Sequence, residues 1–321
     1  MKLNISRRWA GVAWMQAALA AVLFGTGASA AQSGGFEGEA GPHHRRTSTR
    51  SGVIEVASGM NYWDGSQWSP SEARFEMSPG GGFVAEKVLQ KVRLKANLNH
   101  SGAVEVVAAD GAIIKSTPVG IRLFDTESGE AMVIGTIKNC AGARAGENRV
   151  VYGDAFNGVC ASVVYTITNG KFEQDVIITS NLHPEDYGFP SKSTQIQIMT
   201  EYFGVREPMR VMRPLYIEKD EAVRKQRAVP DVVDQTLDFG EVVIGPGSAY
   251  SGVLNAETEP TEAPVIKEFA TIGKRTFLIE SVEYNGIKAG LEKLPPCGEQ
   301  TFRKPARASG QVLAALPPQP A

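Results

Sequence analysis

Apolar and polar residues alternate through most of the chain, in short runs punctuated by Gly, Asn, Asp and Pro. The clearest stretch is Cys160 to Thr179, CASVVYTITNGKFEQDVIIT, where two β-branched-rich runs flank Asn169-Gly170. That dipeptide between alternating runs predicts a hairpin with a type I′ turn, whose two central residues need positive φ. A two-residue loop also sets the register. Ile167 is then opposite Phe172, Tyr165 opposite Gln174, Val163 opposite Val176 and Ala161 opposite Ile178. One face collects Ala161, Val163, Tyr165, Ile167, Phe172, Val176 and Ile178, a core face. The other carries Thr166, Thr168, Lys171, Glu173 and Asp175, with Val164 and Ile177 as apolar exceptions, and is expected to be wet.

The same alternation predicts strands at Val53–Ala57, Glu72–Met77, Phe83–Ala96, Ala103–Ala108, Ile113–Ser116, Val119–Phe124, Met132–Ile137 and Val150–Phe156. Thr194–Phe203 puts Ile196, Ile198, Thr200 and Tyr202 on one side and Gln195, Gln197 and Glu201 on the other. Strands resume at Gln235–Ile244 and Tyr250–Leu254. Asp64-Gly65, Asp110-Gly111 and Asn157-Gly158 are further turn signals. Long helical periods between strands, which a parallel sheet requires, are missing. The fold class is therefore all-β: a large antiparallel β-sandwich over residues 51–256. Residues 204–233 are charged and interrupted by Pro208, Pro214 and Pro230, with a helical turn or two at Lys219–Gln226. Arg206, Arg210 and Arg213 there either share a face or pair with nearby acids.

Glu257–Pro264 reads as an acidic linker. Beyond it, Val265–Ala270, Arg275–Tyr284 and the i, i+4, i+7 set Ile287, Leu291 and Leu294 predict a strand-strand-helix appendage over 265–296. Residues 297–321, rich in Pro and Ala, are expected to be a disordered tail.

The start of the chain changes the address. Lys2, Arg7 and Arg8 precede an apolar run from Trp9 through Phe24, and Ala28-Ser29-Ala30 has the small-residue spacing of a cleavage site. This pattern predicts a signal peptide cut after Ala30, hence a secreted or periplasmic protein. Residues 31–50 then form a polar, Gly-rich leader. Removing three positive charges from a net −2 leaves −5, which gives no electrostatic case for nucleic acid. No later run is long and apolar enough to span a bilayer. Of three cysteines, Cys140 and Cys160 end and begin nearby strands and are placed to meet as a disulfide; three unpaired thiols remain the alternative, and Cys297 is left over.

Three stretches add a family likeness: NYWDGSQWSPSEARFEM at 61–77, GKFEQDVIITS at 170–180 and KRTFLIESVEYNGIKAGLEKLP at 274–295. They resemble an uncharacterised β-rich region near the N-terminus of large exported bacterial proteins, some of which carry lectin-like jelly-roll modules or Rhs/YD-type repeats further along. The resemblance implies an all-β, supersandwich-like domain outside the cytoplasm and defines no catalytic residues.

Candidate chemistry is sparse. There is no G-x-S-x-G, H-E-x-x-H, Walker loop or dinucleotide fingerprint, and no C-x-x-C pair, so no cofactor or metal is called for. His100 and His183 are the histidines outside the leader, and Glu173 and Asp175 lie two apart on the expected wet face. A glycosidase would need such groups to converge in one groove. Tyr62, Trp63 and Trp68, around Asp64-Gly65, are the best binding candidates, a stacking platform for sugar rings or a partner protein. Because 63 and 68 have opposite parity, simple alternation sends at least one ring into the core. The expected function is an exported non-enzymatic domain that binds or scaffolds at the cell envelope, with a glycan or an exported protein as partner. The alternative is a carbohydrate-active enzyme on the same scaffold.

Overall fold

The computed structural model describes residues 3–11, 61–226, 231–251, 261–297 and 316–321. In chain order the first strands are β1 (Leu3–Gly11), β2 (Asn61–Trp63), β3 (Trp68–Pro70), β4 (Glu76–Met77), β5 (Phe83–Ala85), β6 (Lys91–Leu94) and β7 (Val104–Val107). The long β8 (Ile113–Asp125) follows, then β9 (Ala131–Ile137), β10 (Gly142–Arg144), β11 (Arg149–Tyr152), β12 (Phe156–Asn157), β13 (Ala161–Ile167) and β14 (Lys171–Ile178). After a 3-10 turn at Pro184–Tyr187 come β15 (Thr194–Phe203), β16 (Met209–Tyr216), the short helix α1 (Glu221–Gln226) and β17 (Val232–Asp238). The last elements are β18 (Val242–Ser251), β19 (Thr261–Ile272), β20 (Arg275–Glu283) and α2 (Tyr284–Leu291).

Every ladder is antiparallel. One layer runs β10-β11-β13-β14-β1-β18-β17-β16. The other runs β4-β5-β6-β7-β8-β15-β20-β19, with β9 and β12 continuing from β8. Strand β19 joins the layers, pairing with β18 through its first half and with β20 through its second. One apolar core takes side chains from both layers, among them Phe75, Tyr152, Tyr165, Phe172, Ile196, Ile198, Leu237, Phe269 and Leu278. The fold is all-β and sandwich-like.

The β13–β14 register is the one the alternation predicts, from Ile167 opposite Phe172 to Ala161 opposite Ile178, and all seven expected core-face residues are buried. The turn differs. Positive φ occurs at Gly65, Gly111 and Gly158 but at neither Asn169 nor Gly170, so the connection is not type I′. Seven consecutive cross-strand pairs hold the register without it. At Gly158, φ is +88° and a Cβ would lie 2.2 Å from the Ile134 carbonyl oxygen, so glycine is required there.

Elsewhere the strands are cut or fused. The long run expected at Phe83–Ala96 divides into β5 and β6 around bends at 87–90. The two runs flanking Pro118 fuse into β8, and the register of β8 against β15 shifts between Met199 and Thr200, where Pro118 sits opposite Thr200. Proline has no N–H for the ladder, so a bulge absorbs it. The strand expected at Val53–Ala57 lies outside the described residues, as do the leader at 31–50 and the residues around the expected cleavage site. Residues 3–11, within the expected signal peptide, form β1 between β14 and β18.

The wet faces need correction. On β13 and β14, Val164, Thr166 and Asp175 are buried, and on β15 so are Gln197 and Glu201. Strand β15 is flanked by β8 and β20, and its polar residues meet partners on those neighbours. Gln197 accepts from Arg122 Nε (2.5 Å) and donates to Ser281 Oγ (3.0 Å), while Glu201 takes a fork of hydrogen bonds from Arg275. Burial of Gln197 and Glu201 is tolerated because each has these partners.

The strand-strand-helix segment is integral to the sheets. Strand β19 begins at Thr261, inside the expected linker, and β20 pairs with β15 along eight residues. Helix α2 buries Tyr284, Ile287 and Leu291, Leu294 follows into the core, and Tyr284 donates its hydroxyl to the Leu182 carbonyl (3.1 Å). Of the disordered tail expected over 297–321, Cys297 is bridged and Leu316–Ala321 lie against the β8–β15–β20 sheet, while residues 298–315 lie outside the described residues.

Candidate functional site

Strands β2 and β3 form a two-stranded sheet of their own. Asn61 pairs with Pro70, Tyr62 with Ser69 and Trp63 with Trp68. Four residues, 64–67, close the hairpin, so Trp63 and Trp68 are cross-strand partners on one face despite their opposite parity. Their rings meet edge to face, with centroids 5.6 Å apart and planes at 68°, an arrangement favoured by the aromatic quadrupole. Neither ring is buried in the core. Trp63 is 48% exposed, and Tyr62 and Trp68 are half-buried.

The turn that holds them is built on Asp64. Its Oδ1 accepts from the backbone N–H groups of Ser66 and Gln67 (2.9 Å each) and from Ser66 Oγ (2.9 Å), and its Oδ2 accepts from Ser69 Oγ (2.8 Å). This is an Asx-type turn, in which a carboxylate replaces the missing backbone acceptors. The donated N–H groups of Gln67 and Ser66, with the serine hydroxyls, hold its carboxyl well below the usual carboxylate range. The result is a fixed pair of edge-to-face rings on one face of the hairpin, with two indole N–H groups as polar handles, while Tyr62, next to Trp63 along β2 and opposite Ser69, belongs to the other face.

The enzyme candidates do not gather. His100 lies in the β6–β7 loop, exposed, 3.0 Å from Lys95 Nζ. Glu173 and Asp175 sit mid-strand on β14 opposite Thr166 and Val164. Arg206 donates to the Phe239 carbonyl, and Arg210 pairs with Glu207 and donates to the Phe269 carbonyl (2.9 Å), so these two tie backbone and neighbours together. Arg213 is exposed on β16.

His183 stands apart from that set. It precedes the 3-10 turn and lines a cavity of about 400 Å³ with Ser180, Asn181, Asp186, Tyr187 and Cys297. Burial, and secondarily the neighbouring Asp186, push the Tyr187 hydroxyl up to about 12. None of Glu173, Asp175, His100 or the three arginines reaches this cavity. Among the described residues no three His, Cys, Asp or Glu side chains are grouped as a metal site.

The cavity is walled by the disulfide, which joins Cys160 to Cys297 and not to Cys140. Cys140 is buried, and its backbone is fixed against the 97–99 loop. Its N–H donates to Asn97 Oδ1 (3.1 Å) and its carbonyl accepts from Leu98 N–H (3.2 Å). Cys160 immediately precedes β13, its carbonyl accepting from Thr179 N–H (2.9 Å), and the chain leaving α2 brings Cys297 to it, guided by Asn181 N–H on the Pro295 carbonyl (2.9 Å). Burial raises the Cys140 thiol above its ordinary value, which makes it a poor nucleophile. Compared with family models, with curated proteins and with solved structures, the chain matches none.

Proposed function

We propose that this chain is an exported, non-enzymatic β-sandwich domain that binds at the cell envelope through the Tyr62, Trp63 and Trp68 hairpin, with a glycan or an exported protein as ligand. The observation that carries the reading is the position of Trp63: half exposed, edge to face with Trp68, on a hairpin outside both main layers. A tryptophan braced in this way presents a rigid apolar face at little conformational cost on binding, as stacking on a sugar ring or capture of a protein side chain requires. Export is supported by the basic and then apolar start of the chain, by Ala28-Ser29-Ala30, and by the Cys160–Cys297 bridge, which persists in oxidising compartments. On this reading β1 belongs to the precursor and leaves with the signal peptide.

The test is a glycan-array screen of the purified chain beside its Trp63→Ala variant, run with degradation assays on the same polysaccharides. Retention of a glycan that falls about tenfold or more in the variant, without cleavage, is expected. A second reading, a carbohydrate-active enzyme, draws on His183 and Asp186 lining one cavity. Polysaccharide cleavage abolished by His183→Ala would favour it.

A further inference from the structure

The segment Leu316–Ala321, LPPQPA, crosses the face of the β8–β15–β20 sheet that looks away from the main core. Pro317 and Pro320 are buried, whereas Pro318 and Gln319 between them are exposed. Burial every third residue is the period of a polyproline II strand. Leu316 packs on a small apolar cluster separate from the main core, made of Val119, Met199, Phe277 and Ile279. Beneath Pro317 the floor is Gly120. A Cβ there would stand 2.9 Å from Pro317 Cβ and 3.1 Å from its Cγ, so the missing side chain is the socket.

Polar groups read the backbone. Arg275 Nη1 donates to the Pro317 carbonyl (2.5 Å) and Nη2 reaches the Pro318 carbonyl (3.4 Å). The same guanidinium forks onto Glu201, Nε to Oε1 at 2.8 Å and Nη2 to Oε2 at 2.6 Å, and lies 4.8 Å over the Phe277 ring. Glu201 is almost wholly buried, so it aims the arginine outward from a fixed base. At the far end, Ser101 N–H donates to the Ala321 carbonyl (2.9 Å) and Ser101 Oγ to the Pro320 carbonyl (3.5 Å). Proline carbonyls are strong acceptors on residues that bring no N–H of their own, so this set of outward donors suits a proline-rich backbone.

We propose that this groove is a binding site for extended proline-rich peptides of the pattern Leu-Pro-x-x-Pro, and that residues 316–321 occupy it in cis. A proline-rich segment of another chain in the same compartment takes the site when it displaces the resident one. The site is distinct from the aromatic hairpin and does not rest on the function proposed for it. A ligand tethered in the same chain has a local concentration on the order of millimolar, so the groove is largely closed to weak competitors until the resident segment is removed.

The test uses a fluorescent peptide with the sequence of residues 312–321 and two emptied forms of the full chain, one with Pro317→Glu and Pro320→Glu, the other ended after Ala315. Thermal melts check that each is folded. Saturable binding to the emptied forms is expected, about tenfold or more weaker to the unmodified chain. Arg275→Lys in an emptied form, which keeps a cation beside Glu201 but loses the fork, is expected to weaken binding by about tenfold. A peptide with alanine at its three proline positions should not bind. The proposal is overturned by no saturable binding to either emptied form up to about 1 mM, or by binding indifferent to Arg275→Lys. Failure of both emptied forms to fold overturns it too, since the segment would then be part of the fold and not a ligand.

Discussion

Replacing Cys297 with alanine removes the bridge to Cys160 and with it a cross-link between residues 137 positions apart. In the chain-entropy description, a closed loop of that size lowers the entropy of the unfolded chain by about 17 cal/mol/K, or about 5 kcal/mol at 25 °C. Native strain and residual structure in the unfolded chain usually reduce that ceiling, so a loss of about 3–5 kcal/mol is expected. The native state itself should change little, because Tyr284, Ile287, Leu291 and Leu294 hold α2 and the residues after it against the core without the bridge. The assay is urea unfolding of the oxidised chain and of Cys297→Ala, followed by far-UV circular dichroism. The variant should unfold at a lower midpoint and with a steeper m, since its unfolded chain exposes more surface. Cys140→Ala, which touches no bridge, should cost about 1–2 kcal/mol or less by truncation of a buried small side chain, and thiol titration of the denatured wild type should find Cys140 alone. A loss below about 0.5 kcal/mol for Cys297→Ala, within the range of ordinary surface substitutions, or three titratable thiols in protein from an oxidising compartment, would refute the pairing.

Two further outcomes follow from buried and capped charges. Lys267 and Asp234 form an ion pair with both side chains out of solvent, and Lys267 N–H also donates to Asp234 Oδ1 (2.8 Å); Asp234→Ala strands the ammonium and should cost about 3–5 kcal/mol in denaturant unfolding, whereas Asp234→Leu with Lys267→Met should be near neutral. A cost below ~1 kcal/mol for the single change would contradict the burial. Asp64 has a folded-state pKa below its ordinary 3.8, so its contribution to the hairpin is complete above that pH and is lost only as pH falls through the lowered value. Tryptophan emission from the hairpin should therefore stay constant from neutral pH down to about 4 and change only in stronger acid, and Asp64→Ala should abolish that pH response.

Much of the architecture is legible from alternation alone. The β13–β14 register, the core face of β15 and the strand-strand-helix at β19, β20 and α2 all follow from which residues share a face. What alternation does not report is whether the opposite face is later covered. Gln197 and Glu201 look solvent-facing in the sequence, yet Arg122 and Arg275, distant along the chain, arrive to pair with them. The three-residue spacing of Pro317 and Pro320 was present, but a Pro/Ala-rich composition carries no signal for the glycine socket and arginine that meet it. Cysteine spacing is blind in the same way. Cys140 and Cys160 end and begin neighbouring strands, but the backbone around Cys140 is bonded to the 97–99 loop, and Cβ geometry decides a disulfide. At the candidate hairpin the sequence displays the aromatic residues but not their arrangement: opposite parity separates two residues on one strand, but a four-residue loop returns Trp63 and Trp68 to the same side.

The most direct test of the binding account is an affinity titration of the ligand identified on the array, followed by intrinsic tryptophan fluorescence, for the wild type, Trp63→Ala and Trp68→Ala. The account predicts saturable quenching in the wild type, a loss of affinity of about tenfold or more for Trp63→Ala, and melting curves within about 1 kcal/mol of wild type. Unchanged affinity in Trp63→Ala, or unfolding of the whole domain by either substitution, would contradict it.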